Sequence, residues 1–351
     1  MKNGDSSVLD WTVIGAGPAG IAAIGKLIDQ RIPAHKIGWI DSHFLVGDLG
    51  RKWSNVPSNT SVELFFRFLN NCEAFNFKNH SSKFHLESLD PKETCALKYI
   101  VEPLQWITDH LRKRVHSIQT ISMALSLSQG LWEIKHKTGS LYTKNVILAV
   151  GSECKNLSFA GPELINLEVA LDPEKLRIAI DPKDTIAVFG SSHSAVLVLA
   201  NLIELNAKKV INFYRSPHKY AVFLDDWILY DDTGLKGFAA KWAKAHLDGI
   251  LPRNLERVLI SDHTFAESLA LCNKAVYAVG FERRRLPVLE QYEHLNYDDR
   301  TGIIAPGLFG FGLAFPQAKF NPLGQLDYRV GLWKFMDYLN SILPIWIKYA
   351  Q

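Results

Sequence analysis

The stretch "WTVIGAGPAGIAAIGKLIDQ", residues 11–30, sets three glycines at the end of a short apolar run. Residues 11–15 read as a buried parallel strand and residues 18–30 as the helix after it, with apolar positions 21, 24, 27 and 28 at helical spacing. Small residues at such a turn can serve a tight reversal and nothing more. A ligand gives them separate tasks. Gly15 permits the sharp turn, Gly17 lets the backbone approach a pyrophosphate, and Gly20 lets the helix pack closely on the strand. The helix N-terminus, led by Pro18 and Ala19, offers free N–H groups and partial positive charge to the phosphates. "KIGWID" (36–41) follows as a second apolar strand. Asp41 at its end, with Ser42 beside it, is placed to accept hydrogen bonds from ribose hydroxyls.

The pattern returns in "DTIAVFGSSHSAVLVLANLIELNAKKVINFYRS", residues 184–216. A strand at 186–189 leads into Gly190, Ser191, Ser192, His193 and Ser194, then a helix, then a strand at 210–214. Its glycines are fewer, but the small residues still allow close backbone approach. No acid closes the second strand, and Arg215 stands near that place. A guanidinium there suits a 2′-phosphate, which favours NADPH over NADH; the alternative is an ordinary surface arginine. Two further segments, "KNVILAVGS" (144–152) and "NKAVYAVGF" (273–281), are buried strands ending in Ala-Val-Gly. Gly151 and Gly280 at those strand ends let the chain pass close to a ligand.

Taken together, GAGPAG with Asp41, the two Ala-Val-Gly strands, GSSHSA and the late "GLFGFG" (307–312) resemble the two-dinucleotide-binding flavoproteins. That class includes the disulfide reductases and the flavin-containing monooxygenases. The resemblance covers nearly the whole chain. It implies an α/β fold of two Rossmann-like domains, FAD in one and NADPH in the other, with the nicotinamide stacked on the flavin. "VGDLGRKWSNVPSNTSVE" (46–63) resembles the monooxygenase branch, and carries Gly50, Trp53, Asn59 and Thr60 over as residues lying against FAD. Trp53 also reads as a core aromatic. His193 takes a position where relatives often carry Asn or Asp near both cofactors. It is a candidate general acid or hydrogen-bonding anchor, or else a satisfied histidine at a helix start.

Three departures matter. Cys72, Cys95, Cys154 and Cys272 are far apart, without a C-x-x-C, which removes the redox disulfide of the reductase branch and any cysteine zinc site. The monooxygenase fingerprint expects a His beyond Phe-x-Gly, but "FAGPELINLE" (159–168) has Phe159 and Gly161 alone. The late motif usually ends in Gly-Asp, whereas Gly312 precedes Leu313.

The 351 residues suffice for about two domains, and 47% hydrophobic with 21% charged content is that of a soluble globular protein. A net charge of +3 gives no argument for nucleic acid. The basic runs Arg112-Lys113-Arg114 and Arg283-Arg284-Arg285 read as solvated faces. No apolar run is long enough to span a membrane, and "MKNGDSSVLDW" has no signal-peptide core, so a cytoplasmic protein is expected. No metal site is expected.

The FAD domain is placed at 1–155 plus 290–351, with the NADP domain at 156–289 and an insertion in it at about 216–249. That insertion, with four aspartates among 225–232 and a helix after Gly237, is the candidate for substrate or partner contacts, or a surface subdomain. Pro103 is read as opening a helix, and residues 116–143 as a small antiparallel meander. "KFNPLGQLDYRVGLWKFMDYLNSIL" (319–343) reads as a loop entering an amphipathic helix. In related folds such a helix faces the flavin's pyrimidine edge, so amides of Gly324 and Gln325 are expected to stabilise charge on the reduced ring.

The sequence thus describes an FAD-containing, NADPH-dependent oxidoreductase of the monooxygenase kind acting on a small molecule. A reductase serving a quinone or protein acceptor, and a non-enzymatic redox sensor or interaction protein, stay open, as does a homodimer. Charge-assisted bonds from Arg215 to a 2′-phosphate are worth on the order of 1.5–3 kcal/mol, roughly ten- to a hundredfold in affinity. Arg215→Ala is therefore expected to weaken NADPH binding by about that factor and to leave NADH binding nearly unchanged. Titrations of both coenzymes check this, and equal losses would reduce Arg215 to a fold-supporting residue.

Overall fold

The Val, Ile and Trp run at Leu9–Ile14 is buried on both faces of its sheet, as strands with neighbours on either side require. The computed structural model describes residues 8–224 and 227–350. Leu9–Ile14 lies parallel to Ile37–Asp41 on one side and to Gly139–Leu148 on the other. His116–Gln119 extends the sheet beyond Ile37–Asp41. Leu308–Gly310, from far along the chain, pairs in parallel with the end of Gly139–Leu148. An antiparallel meander, Ser122–Ser128, Leu131–His136 and Gly139–Leu148, completes most of this nine-stranded sheet.

Three helices cover one face. Pro18–Asp29 packs with Lys98–Arg112 and Leu332–Lys348, burying Ile21, Ile24, Leu104, Ile107, Leu339 and Trp346. Pro103 sits inside the second of these helices, not at its start. The entry is set upstream, where the amides of Leu97 and Lys98 donate to the carbonyls of Val56 and Ser54.

The second sheet has five strands, all parallel, in the order Glu163–Leu164, Lys274–Tyr277, Thr185–Phe189, Lys209–Tyr214, Leu255–Leu259. The helix His193–Glu204 packs its Ala195, Val196 and Leu199 into the core of this sheet. One sheet with a parallel centre and an antiparallel wing, and a second that is all parallel, with covering helices, are the α/β architecture expected from the sequence. Between the sheets, Ser152–Cys154 and Phe281–Arg283 pair antiparallel, so the chain segments that follow the two Ala-Val-Gly ends meet.

The expectation for Gly324 and Gln325 is corrected. They turn a hairpin between Gln317–Phe320 and Leu326–Arg329, and the last helix begins only at Leu332. The Asn321 side chain accepts from the amides of Leu323 and Gln325 at 3.0 Å each, and Gly324 takes a φ of +74°. "NPLG" is turn chemistry, and it wins over the helical pattern that follows.

In the insertion, a short hairpin pairs Val222–Phe223 with Ile228–Leu229, and a helix runs over Gly237–His246. Asp225 and Asp226 lie outside the described residues. Asp248 draws the two ends of the insertion together, accepting from Tyr220 at 2.5 Å and bonding His218 at 2.9 Å.

Candidate functional site

Both glycine turns are built on one backbone plan. The Gly15 amide donates to Ile40 O at 2.8 Å, and the Gly190 amide donates to Phe213 O at 2.9 Å. Ala149 N–H donates to Ile14 O at 2.8 Å, and Ala278 N–H to Phe189 O at 2.9 Å. Each turn glycine has φ well into the positive range, +112° for Gly15 and +125° for Gly190. A Cβ at Gly15 would run into the Ala149 carbonyl oxygen, and one at Gly190 into that of Ala278. The Ala-Val-Gly strands are therefore the floors against which the turns close.

Around the first turn, Gly20 packs so tightly that a Cβ would meet the Gly15 carbonyl, in keeping with its assigned part. Trp39 Nε1 donates to Gly15 O at 2.9 Å. Asp41 braces the loop: Oδ2 accepts from Ala16 N–H at 2.8 Å, while Oδ1 accepts from His43 and Phe44 N–H at 2.8 Å each. Ser42 points its hydroxyl at His43 Nδ1, 2.5 Å away. Gly17 is different. Nothing but the Gly47 Cα at 3.9 Å comes near the place of its Cβ, so protein packing does not require a glycine there. Gly151 and Gly280 likewise face open space. Gly312, at the end of the late motif, would place a Cβ 2.5 Å from that of Ala19 and so lies directly on the first turn.

No side chain caps either helix: Gly17 and Ser192 occupy the N-cap positions without capping bonds, and neither first turn carries an acid. Pro18 and Ala19 begin the first helix, and Ser194 stands in the first turn of the second, with Ser191 just ahead. Each helix start keeps amides and positive dipole free for an anion. Arg215, just past the strand Lys209–Tyr214, is exposed.

Other expected contacts have structural explanations. Gly50 lies in the short helix Gly47–Arg51, where a Cβ would strike the Leu45 carbonyl. Trp53 packs edge-on to Phe281, ring centres 6.2 Å apart, against the second core. Lys113, Arg114, Arg283 and Arg285 of the basic runs are exposed as expected, while Arg112 and Arg284 are half-buried, and several of these side chains also make specific contacts. Arg112 lies over Phe44 at 4.1 Å and Arg114 donates to Ala74 O at 3.1 Å. Arg283 covers Phe315 at 4.3 Å, and Arg284 Nη2 reaches Asp48 at 2.5 Å and Ser152 O at 3.1 Å. Arg284 thus ties the loop after Asp41 to the exit of the first Ala-Val-Gly strand.

Asn59 and Thr60 line a cavity of about 710 Å³ between the insertion, the strand Pro57–Ser61 and the start of the last helix. Phe223, Leu313, Trp333 and Lys334 share its wall. Lys334, 5% exposed, reaches Asp231 at 2.6 Å and Asp232 at 2.5 Å, and Lys236 also pairs with Asp231. Burial pushes both carboxyls up. At Asp231 the neighbouring Lys334 and Lys236 outweigh burial and hold it below the usual value, while at Asp232 burial prevails and leaves it raised. Sequence reasoning saw the aspartates but missed Lys334, Arg284 and Gly47, because their partners lie far away along the chain.

His193 bonds Pro57 O through Nε2 at 3.1 Å, so the neutral ring carries its proton there and Nδ1 is a buried acceptor with no partner among the described residues. Burial holds the ring below its ordinary pKa. Its single N–H is committed to a backbone carbonyl, which fits the anchor role and not the general acid. Burial pushes all four thiols up, Cys95 and Cys272 to about 11, which disfavours the thiolate. No cluster of three or more metal-binding side chains, and no helix long and apolar enough to cross a membrane, occurs among the described residues.

No family model matches the chain. The monooxygenase AgnR1 of Paecilomyces divaricatus is 33% identical over 381 aligned positions, spanning 95% of this chain and 97% of that protein. Among solved structures, a mutant flavin monooxygenase from Stenotrophomonas maltophilia matches with TM-score 0.67 at 12% identity, over 97% of this chain and 99% of its own. A Kutzneria ornithine N-hydroxylase, solved with reduced FAD, NADP+ and L-ornithine, matches with TM-score 0.66 at 13% identity, over 97% and 99%. At such identities the two structures speak to the fold.

The histidine anchor has a pH signature. A ring whose folded pKa lies below the ordinary 6.5 gives stability that is present above 6.5 and is lost as pH falls from there toward the folded value. His110 and His136 are shifted the same way, so a variant must isolate His193. Melting temperature is expected to drop less between about pH 7.5 and about pH 5 in His193→Gln than in the wild type. An identical drop would mean that His193 carries no such linkage.

Proposed function

Since the chain belongs to the two-dinucleotide-binding flavoproteins, on their monooxygenase side, we propose that it is an FAD-dependent, NADPH-linked monooxygenase acting on a small molecule in the cytoplasm. The observation that carries this reading is the open ground at Gly17, before a helix start with no cap of its own. A residue that packing leaves free to be larger, yet is glycine, marks space reserved for something else. A pyrophosphate suits that space, and the free amides beyond Gly17 suit its charge.

In this proposal FAD lies in residues 1–155 plus 290–351, and NADPH in residues 156–289. Gly15, Gly17, Pro18, Ala19 and Gly20 hold the FAD pyrophosphate. Asp41 already satisfies three amides, and its remaining lone pairs serve a ribose hydroxyl with Ser42 alongside. Gly151, Gly280 and Gly312 keep backbone close to the cofactors. Gly190, Ser191, Ser192 and Ser194 hold the NADPH pyrophosphate, and Arg215 its 2′-phosphate. When bound, FAD supplies acceptance of hydride from NADPH and transfer of electrons to oxygen.

The chain's own task is placement. His193 fixes the start of the second helix to Pro57, two residues before Asn59, and so sets the second glycine turn relative to the cavity wall. Amides of Leu332, Trp333 and Lys334 replace those of Gly324 and Gln325 as the helix N-terminus at the cavity. Leu313, where the family's late motif has an acid, lines the cavity with an apolar group, leaving backbone to serve at that point.

Filling the reserved space tests the reading. An inserted Val side chain of this kind costs about 1–3 kcal/mol, roughly five- to a hundred-and-fiftyfold in affinity. Gly17→Val is expected to fold, with nothing nearer than 3.9 Å to the new Cβ, and to purify with at least about fivefold less flavin. The exposed control Gln30→Ala keeps its flavin. Full flavin content in Gly17→Val would remove the pyrophosphate from this turn.

A further inference from the structure

Leu235 and the helix Gly237–His246 seat the insertion in the second core through buried Leu235, Ala239 and Ala243, while its polar ties to the rest of the chain are uneven. At its base, His218 and Tyr220 meet Asp248, a contact internal to the insertion. Near its middle, Lys241 pairs with Glu93, but both side chains are largely exposed, at 72% and 59%. Gly237 also packs directly on Thr94. Among the described residues, Asp231 and Asp232 are where the insertion carries buried charge to a distant segment. Lys334, in the first turn of the last helix, takes Asp231 at 2.6 Å and Asp232 at 2.5 Å, and Asp231 also takes Lys236.

This arrangement is unfavourable for every partner alone. An ammonium is poorly placed in the first turn of a helix, where the dipole is positive. It is also nearly fully buried, and two adjacent carboxylates repel each other without it. All four side chains line the same cavity. Drawing Asp231 and Asp232 away from the cavity must therefore break the Lys334 ion pairs, whereas Leu235 and the helix Gly237–His246 stay in the second core.

We propose that Lys334 is a positioning residue: through Asp231 and Asp232 it latches this part of the insertion at the cavity, and release of this latch admits the substrate. The word substrate rests on the proposed function; the latch is read from the ion pairs and needs no turnover to be tested. Two quantities report on it. The amides of Ala221 and Leu235 are held by bonds to Leu235 O and Lys219 O, and Gly234 N–H donates to Tyr230 O, so their hydrogen exchange reads the segment that flanks Asp231 and Asp232. Trp333 lines the cavity beside Lys334, so its quenching by acrylamide reads access.

The experiment uses the full-length, cofactor-loaded protein and the variants Lys334→Met, Lys334→Arg and Asp231→Asn with Asp232→Asn. Each is also made in a Trp333→Phe background to isolate the Trp333 signal. In Lys334→Met, exchange at Ala221, Gly234 and Leu235 is expected to quicken by about tenfold or more, while the first sheet stays as protected as before. Quenching of Trp333 rises severalfold, and Lys334→Arg restores both. The paired asparagine variant, which leaves Lys334 without carboxylates, shows the same opening if Lys334→Met folds poorly. Lys241→Met, at the exposed pair, changes neither quantity. Unchanged exchange and quenching in folded Lys334→Met, or faster exchange spread evenly over the protein, would overturn the latch. Loss of flavin binding in the wild type would instead count against the proposed function and leave this result standing.

Discussion

The structure depends on one repeated constraint, a glycine turn closed against the end of a neighbouring strand. Gly15 and Gly190 each donate an amide to one adjacent strand, and each lies under a carbonyl, of Ala149 or Ala278, that leaves no room for a Cβ. This fixes where the following helix starts. It also explains why the Ala-Val-Gly strands recur: they form the third side of each turn. The chain from residue 150 onward and from 279 onward then leaves at the same edge, where Ser152–Cys154 and Phe281–Arg283 pair. Two dinucleotide modules are thereby brought to one seam, and the site follows from backbone geometry before any catalytic side chain is considered.

Across that seam the chain places buried polar contacts rather than reactive groups. His193 spans from the second helix to Pro57, Arg284 from the linker strand to Asp48, and Lys334 from the last helix to the insertion. Breaking one partner of a buried ion pair costs about 3–5 kcal/mol, several times the value of an exposed one. Lys334 is in that class, while Lys241 with Glu93 is not. These contacts contribute relative position, which is what hydride transfer between two bound cofactors requires of a protein.

The fold was legible because its decisive signals are local. Glycines at fixed spacing, an apolar strand before them and an acid after them sit within a few turns of chain, as do both Ala-Val-Gly ends. The meander read at 116–143 is present over 122–148, but His116–Gln119 instead lies parallel beside Ile37–Asp41 at the sheet's other end. What was not legible depended on distant partners or on competing local chemistry. Gly324 read as a helix start because the apolar stripe beyond it is strong, but the Asn321 side chain closes a hairpin first. Arg283 and Arg284 read as a charge run, and only the fold supplies Phe315 and Asp48. Gly50 and Gly17 look alike in sequence, yet one glycine answers to a carbonyl and the other to open space.

The central claim is that the two turns hold FAD and NADPH so that electrons pass from one to the other and on to oxygen. Anaerobic mixing of the flavin-loaded protein with one equivalent of NADPH tests it most directly, followed by admission of isotopically labelled oxygen. The account predicts rapid loss of the flavin's visible absorbance with NADPH, much slower loss with NADH, and recovery of the absorbance when oxygen enters. With a substrate present, one labelled oxygen atom appears in the product. A flavin that stays oxidised in the presence of NADPH would contradict the account.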